Sequence, residues 1–223
     1  MQVGGVTTDP FLPGAIFDLD SWTSPGDFYS YTAKSAMLSP MHLRVVNSID
    51  PTDLVAEEKM VTSYDGVKVP LTILYKRGFV KVGNAPTALI GYGAYSDAFL
   101  PGFSRRYMVW VERGGVLAVA HVRGGGEFGE SWHLAGKGLT KPNTWRDFIA
   151  SAEYLIANKY TSSAKLGIWS QSAGGILIVH GAARPLRCSG GWRPVLGHAT
   201  RGDRPQRPRK HTGVWHGKAA VRL

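Results

Sequence analysis

The chain has a single cysteine, Cys188, and no apolar run of the length that crosses a bilayer. One thiol excludes an internal disulfide and suits a reducing compartment. A membrane-spanning helix needs about 18 or more consecutive apolar residues, and runs such as Val116–Ala120 fall far short of that. The first residues, MQVGGVTTDPFLPG, lack a basic stretch followed by an apolar one, so no leader peptide is expected. A cytoplasmic protein with no membrane partner is the expectation. Acid is scarce too, but at one end only. Residues 181–223 hold ten Lys and Arg against the single Asp203, whereas residues 1–180 are nearly balanced, with 16 basic residues against 15 acidic. The net charge of +10 therefore belongs to the tail.

That tail also lacks apolar periodicity. It contains seven Gly and four Pro with scattered Trp, and no stripe at a spacing of 2 or 3.6 residues. Such a segment cannot bury enough surface to order itself. Disorder is expected over 181–223, and the abrupt change of composition is what a shift of reading frame just after Ile178 would give. The alternative is a genuine Arg-rich tail that binds nucleic acid. Nucleic acid is not expected as a partner, because only this tail suggests it.

Upstream, the patterning is regular. Val55–Ser63 and Val67–Arg77 are β-branched runs joined through Asp65-Gly66, a hairpin signal. Residues 86–90, 116–122 and 166–169 are short and almost wholly apolar, as strands covered on both faces are. Helical spacing places a helix from about Thr144, with Trp145, Phe148, Ile149, Ala152, Leu155 and Ile156 on one side and Thr144 with Asp147 set like a capping box. A second helix over Phe103 to Arg113 should stop at Gly114-Gly115. Strands alternating with helices predict an α/β fold built on a mostly parallel sheet.

Within that alternation the stretch Leu166-Gly-Ile-Trp-Ser170-Gln-Ser172-Ala-Gly174-Gly runs from an apolar strand into an apolar helix. A sharp strand-to-helix turn of this kind presents a nucleophilic serine, and it requires small residues two before and two after, because strand and helix crowd there. Ser170 and Gly174 meet that need around Ser172. Centring the turn on Ser170 would force Ile168 into a crowded position, which favours Ser172. The same residues also suit an ordinary Ser- and Gly-rich turn, so the motif alone leaves both readings open.

A second signal is Gly124-Gly-Gly126-Glu-Phe-Gly129, which satisfies the dinucleotide-binding spacing after an apolar strand, with Asp147 about 20 residues on. That motif needs its last glycine to open a helix on which the pyrophosphate can sit. The stretch beyond Gly129 is broken by Gly136, Gly138 and Pro142, so a nucleotide site is not expected, and the sequence implies no cofactor or metal. Arg123 and Glu127 frame this glycine run and are expected to form a structural ion pair. Asp147 is expected to be a helix cap or surface charge.

Taken together, Ile90-Gly-Tyr92-Gly-Ala-Tyr, the block from Glu112 through Arg123-Gly-Gly-Gly-Glu127 to Trp132-His, the block Trp145-Arg-Asp147-Phe-Ile-Ala-Ser-Ala-Glu-Tyr-Leu-Ile and Ser172-Ala-Gly-Gly closely resemble the prolyl oligopeptidase family of serine peptidases. Ser24-Pro-Gly-Asp-Phe-Tyr-Ser-Tyr31 is similar to the last strands of the β-propeller that precedes the hydrolase domain in that family. The resemblance implies a remnant of that propeller and a linker over 1–54, the first part of an α/β-hydrolase domain over 55–180, and the basic tail over 181–223. It implies hydrolysis of short peptides, proline-containing ones among them, through an acyl-enzyme. It places the nucleophile on Ser172 and the oxyanion donors on the Tyr92 hydroxyl and the backbone N–H of Ala173. An esterase or lipase on the same fold is the alternative chemistry.

The expected base and acid do not accompany them. In α/β-hydrolases the acid and then the histidine come after the serine along the chain. Here the only later acid is Asp203, and His180, His198, His211 and His216 lie in no recognisable strand-end loop. His121 and His133 precede the serine and match no catalytic position. The expectation is a peptidase site that lacks its base, and a strand carrying Ser172 that is left as an exposed edge.

Overall fold

A computed structural model describes residues 1–11, 13–43 and 50–182, and the backbone of 219–222. Two sheets form. The first is a four-stranded antiparallel meander of β1 (Gln2–Thr7), β2 (Ala15–Asp20), β3 (Asp27–Thr32) and β4 (Met37–Pro40). The second has six strands: β5 (Leu54–Thr62), β6 (Lys68–Lys76), β7 (Thr87–Gly91), β8 (Val116–Ala120), β9 (Leu166–Ser170) and β10 (Ala219–Arg222), in the spatial order β10-β9-β7-β8-β6-β5. The helices are α1 (Arg105–Glu112), α2 (Glu130–Leu134), α3 (Pro142–Ala157) and α4 (Gly175–Ala182).

The hairpin expected at Asp65-Gly66 is present: β5 and β6 pair antiparallel from Leu54↔Lys76 to Thr62↔Lys68, with Gly66 at φ 84° supplying the left-handed turn residue. The three short apolar runs form the parallel centre, β7 lying between β8 and β9. Their alternate residues face two apolar layers. On one side Leu71, Ile73, Leu89 and Ala118 pack with Phe148 and Leu155 of α3 and Leu177 of α4. On the other, Leu74, Ile90, Leu117 and Val119 pack with Met108 and Val111 of α1. Burying a side chain of this size stabilises the fold by about 2 kcal/mol, and these layers account for the all-apolar strands.

Three expectations change. The helix α1 is shorter than Phe103–Arg113, capped at Arg113 with Gly114 at φ 84°. The helix α3 opens two residues before Thr144, at Pro142, whose ring suits a first helical position. Thr144 and Asp147 therefore do not form a capping box. Both are fully buried, and Thr144 Oγ1 donates to the Arg123 carbonyl at 2.7 Å. Finally β9 is not an edge: the backbone of β10 pairs with it antiparallel, Ala219↔Ser170 to Arg222↔Gly167. The expectations for Cys188, Asp203, His198, His211 and His216, and for disorder or a changed reading frame over 183–218, lie outside the described residues.

Candidate active site

Ser172 comes two residues after the end of β9, at Ser170, and shortly before α4, and its backbone is in the left-handed region at φ 50°. Serine rarely adopts that conformation, and its presence at a strand-to-helix turn is the strain expected of a nucleophile elbow. The crowding that dictates the flanking residues is visible. A methyl carbon placed on Gly174 would overlap Ser170 Oγ, and that hydroxyl is itself buried, donating to the Gly91 carbonyl at 2.5 Å. This bond ties the elbow to the end of β7, and Tyr92 comes next along the chain.

Ser172 and Tyr92 line one cavity of about 180 Å³, with Asp97, Ala98, Phe99 and Gln171 completing its walls. It lies beyond the carboxyl ends of the parallel strands, where ligands collect in open α/β sheets. Asp97, Ala98, Phe99 and Gln171 were not singled out by sequence reasoning, because a loop that carries no periodicity or motif gives no signal of what it will face.

The charged residues near the glycine run are paired differently from the expectation. Arg123 does not meet Glu127. Its Nε and Nη2 donate to the Asp147 carboxylate at 2.8 and 2.6 Å, its Nη1 and Nη2 donate to Asp65 at 2.5 and 3.1 Å, and its own backbone N–H donates to Asp147 Oδ2 at 3.0 Å. Ser63 Oγ adds a bond to Asp147 Oδ1 at 2.6 Å. The reason is burial. Asp147 is wholly enclosed and must be paired to stay charged, and a guanidinium is the donor that can hold two carboxylates at once. Hydrogen bonding to Arg123 holds the Asp65 carboxyl below its ordinary range. The network pins the β5–β6 turn, the loop after β8 and α3 together.

Glu127 turns the other way. Its Oε1 accepts the Phe99 backbone N–H at 3.1 Å and lies 3.5 Å from His121 Nδ1. His121 Nε2 in turn stands 2.9 Å from Thr72 Oγ1. His133 Nδ1 is 2.9 Å from the Gly124 carbonyl oxygen and 3.1 Å from the Ser96 nitrogen. His180 stacks on Trp145 with ring centroids 4.2 Å apart. None of these three histidines lines the cavity at Ser172. Lys141 braces the residue after Tyr92: its Nζ donates to the Gly93 carbonyl oxygen, and burial pushes its pKa down. As for the dinucleotide spacing, a helix does open after Gly129, but α2 runs for only five residues.

The model of the prolyl oligopeptidase family matches residues 101–186. The prolyl endopeptidase of Elizabethkingia meningoseptica is 36% identical over 184 residues, which cover 82% of this chain and 25% of that protein. Among solved structures, a post-proline cleaving enzyme from Rickettsia typhi superposes with a TM-score of 0.75 at 35% identity, over 82% of this chain and 26% of that one. Oligopeptidase B from Leishmania major gives 0.71 at 32%, over 77% and 24%. The chain thus spans about a quarter of the length of the relatives it matches. With the meander of β1–β4 ahead of a partial α/β-hydrolase sheet, and a strained serine where that sheet turns into α4, the chain belongs to the prolyl oligopeptidase family.

Proposed function

We propose that Ser172 is the nucleophile of a serine peptidase that cleaves short peptides, proline-containing ones among them, in the cytoplasm. The observation that carries this reading is the left-handed backbone of Ser172 at the strand-to-helix turn, beside Tyr92 in one cavity. In the proposed reaction Ser172 Oγ bonds to the peptide carbonyl carbon, and the electron pair of the C=O bond moves onto oxygen. The Tyr92 hydroxyl and the Ala173 backbone N–H donate to that oxyanion. Collapse expels the amine, which leaves with a proton, and an ester to Ser172 remains until water hydrolyses it.

A serine hydroxyl needs a base to give up its proton, and no described histidine lines the cavity with Ser172. His121 and His133 are engaged elsewhere, His180 lies on Trp145, and Asp147 is enclosed with Arg123. Served by the described residues alone, Ser172 should therefore acylate slowly and turn over peptides only at the residual rate that an oxyanion site sustains. The test is to incubate the purified chain with a p-nitrophenyl ester and find the acyl group by peptide mass spectrometry. Acylation confined to Ser172, lost in Ser172→Ala and slowed about 100-fold in Tyr92→Phe, supports the assignment. Acylation spread equally over surface serines and lysines refutes it, and rapid cleavage of a peptide p-nitroanilide refutes the missing base.

A further inference from the structure

The run Gly124-Gly125-Gly126 lies under the chain that walls the cavity. A methyl carbon on Gly124 would collide with the Gly93 carbonyl oxygen, and one on Gly126 would collide with that of Ser96. One on Gly125 would press into the Glu127 carboxylate and sit 3.0 Å from the Asp97 carbonyl oxygen. Three successive glycines thus abut carbonyls of residues 93, 96 and 97, where the Asp97, Ala98 and Phe99 wall begins. Gly124 needs its φ of 101°, but Gly125 and Gly126 have no positive φ. At those two positions the requirement for glycine is steric: at Gly126 it comes from the Ser96 carbonyl of the overlying loop, and at Gly125 mainly from the Glu127 carboxylate that holds that loop.

Glu127 adds the other half of the clamp. Its side chain is 12% exposed, Oε1 takes the Phe99 N–H, and Oε2 is buried with no hydrogen-bond partner. A carboxylate is costly to withdraw from water, and here the donor that holds it belongs to the cavity wall. The segment from Tyr92 to the start of α1 contains no helix or strand, so such anchors decide where it lies. Loops of that length in compact domains are commonly functional.

We propose that Gly125, Gly126 and Glu127 are positioning residues that set the Asp97–Phe99 wall and so decide which peptide side chains fit beside Ser172. The peptide part of this rests on the function proposed above. The role explains why Gly125 and Gly126 are glycine although neither has a positive φ. It also explains why Glu127 faces away from Arg123.

The test uses the full chain carrying Ser172→Ala, so that binding does not depend on a nucleophile. Acetyl-Gly-Pro-amide and acetyl-Gly-Phe-amide are titrated by calorimetry, and exchange of the Phe99 amide is followed by NMR. Glu127→Ala should speed Phe99 exchange about tenfold or more, since that amide loses its acceptor, while Glu127→Gln keeps an acceptor oxygen and restores protection. Gly126→Ala should change the ratio of the two affinities at least about fivefold, because it wedges the wall outward. Unchanged Phe99 exchange in Glu127→Ala, an unchanged affinity ratio in Gly126→Ala, or no binding of either peptide by the parent chain overturns the proposal. Wall effects seen together with a Ser172 that is never acylated would overturn the nucleophile and leave the wall standing.

Discussion

The two sheets of this chain are held by different physics. No described residue of the four-stranded meander, from Gln2 to Pro40, is buried, whereas the six-stranded sheet encloses fully covered residues such as Leu71, Leu89 and Ala118 between its flanking helices. The meander's strands keep their backbone hydrogen bonds but gain little from removing apolar surface from water. Its attachment to the rest is local. Asp20 accepts the Phe103 N–H at 3.2 Å, and Trp22 packs on the α1 layer and meets the His121 ring in an edge-type contact, with centroids 6.3 Å apart. Equal hydrogen bonding does not mean equal stability: the second sheet should carry nearly all of the folding free energy, and the first should depend on it.

The sharpest way to break that contrast is to unpair the buried network of the larger sheet. Arg123→Met removes the guanidinium from Asp147, leaving a charge in a closed interior with Ser63 as its remaining side-chain donor, and removal of one member of a buried pair costs about 3–5 kcal/mol. For a domain of this size that is enough to lose the fold near 37 °C. Urea denaturation followed by tryptophan fluorescence should show an early transition, or none. A loss under about 1 kcal/mol would mean that the guanidinium is far less isolated from water than its enclosure indicates.

A matched pair of truncations sharpens the same comparison. Leu71→Ala, in the layer under α3, should cost about 2–5 kcal/mol, whereas Leu38→Ala on β4, half exposed, should stay within about 0.5 kcal/mol. Chemical denaturation of both variants checks the pair, and equal costs would show that the meander has a core of its own. Trp22→Ala should fall between them, at about 1–2 kcal/mol. Its distinguishing sign is faster proteolysis between residues 1 and 43, with the denaturation midpoint of the larger sheet nearly unchanged.

The same division explains how much could be read from the sequence. The α/β order, the Asp65-Gly66 hairpin, the three central strands and the Ser172 turn were legible because each rests on neighbouring residues: apolar runs, a turn pair, small side chains beside a serine. Sequence proximity misled where pairing is decided across the fold. Arg123 and Glu127 are four residues apart and invite a pair, but Arg123 reaches Asp65, 58 residues away, and Asp147, 24 away. Thr144 and Asp147 have capping spacing, but the helix starts at Pro142 and turns both inward. The cavity wall from Asp97 to Phe99 had no local signature. It sits on a glycine run whose spacing resembles a nucleotide motif. The β10 pairing had no period-2 stripe to announce it.

The smallest effect lies where the larger sheet meets solvent. On β5, burial of Glu57 disfavours its charge, but hydrogen bonds with Tyr160, Lys59 and Lys81 outweigh this and bring its pKa from 4.5 down to about 2. Tyr160 is fully buried and lies in the turn after α3, so the contact fastens the outermost strand to the far end of that helix. A carboxyl whose folded pKa is depressed stabilises the fold fully above its unfolded pKa and loses that contribution as pH falls through the folded one. Stability should therefore decline between pH 4.5 and about 2 by an increment that Glu57→Gln removes. Because the carboxylate is partly exposed, the difference at pH 7 should be about 1 kcal/mol. Denaturation midpoints of the two proteins at pH 7, 4 and 3 measure it, with the gap narrowing toward acid. A gap that does not narrow would mean that the fit of the side chain against the Tyr160 hydroxyl, and not the charge, governs this corner.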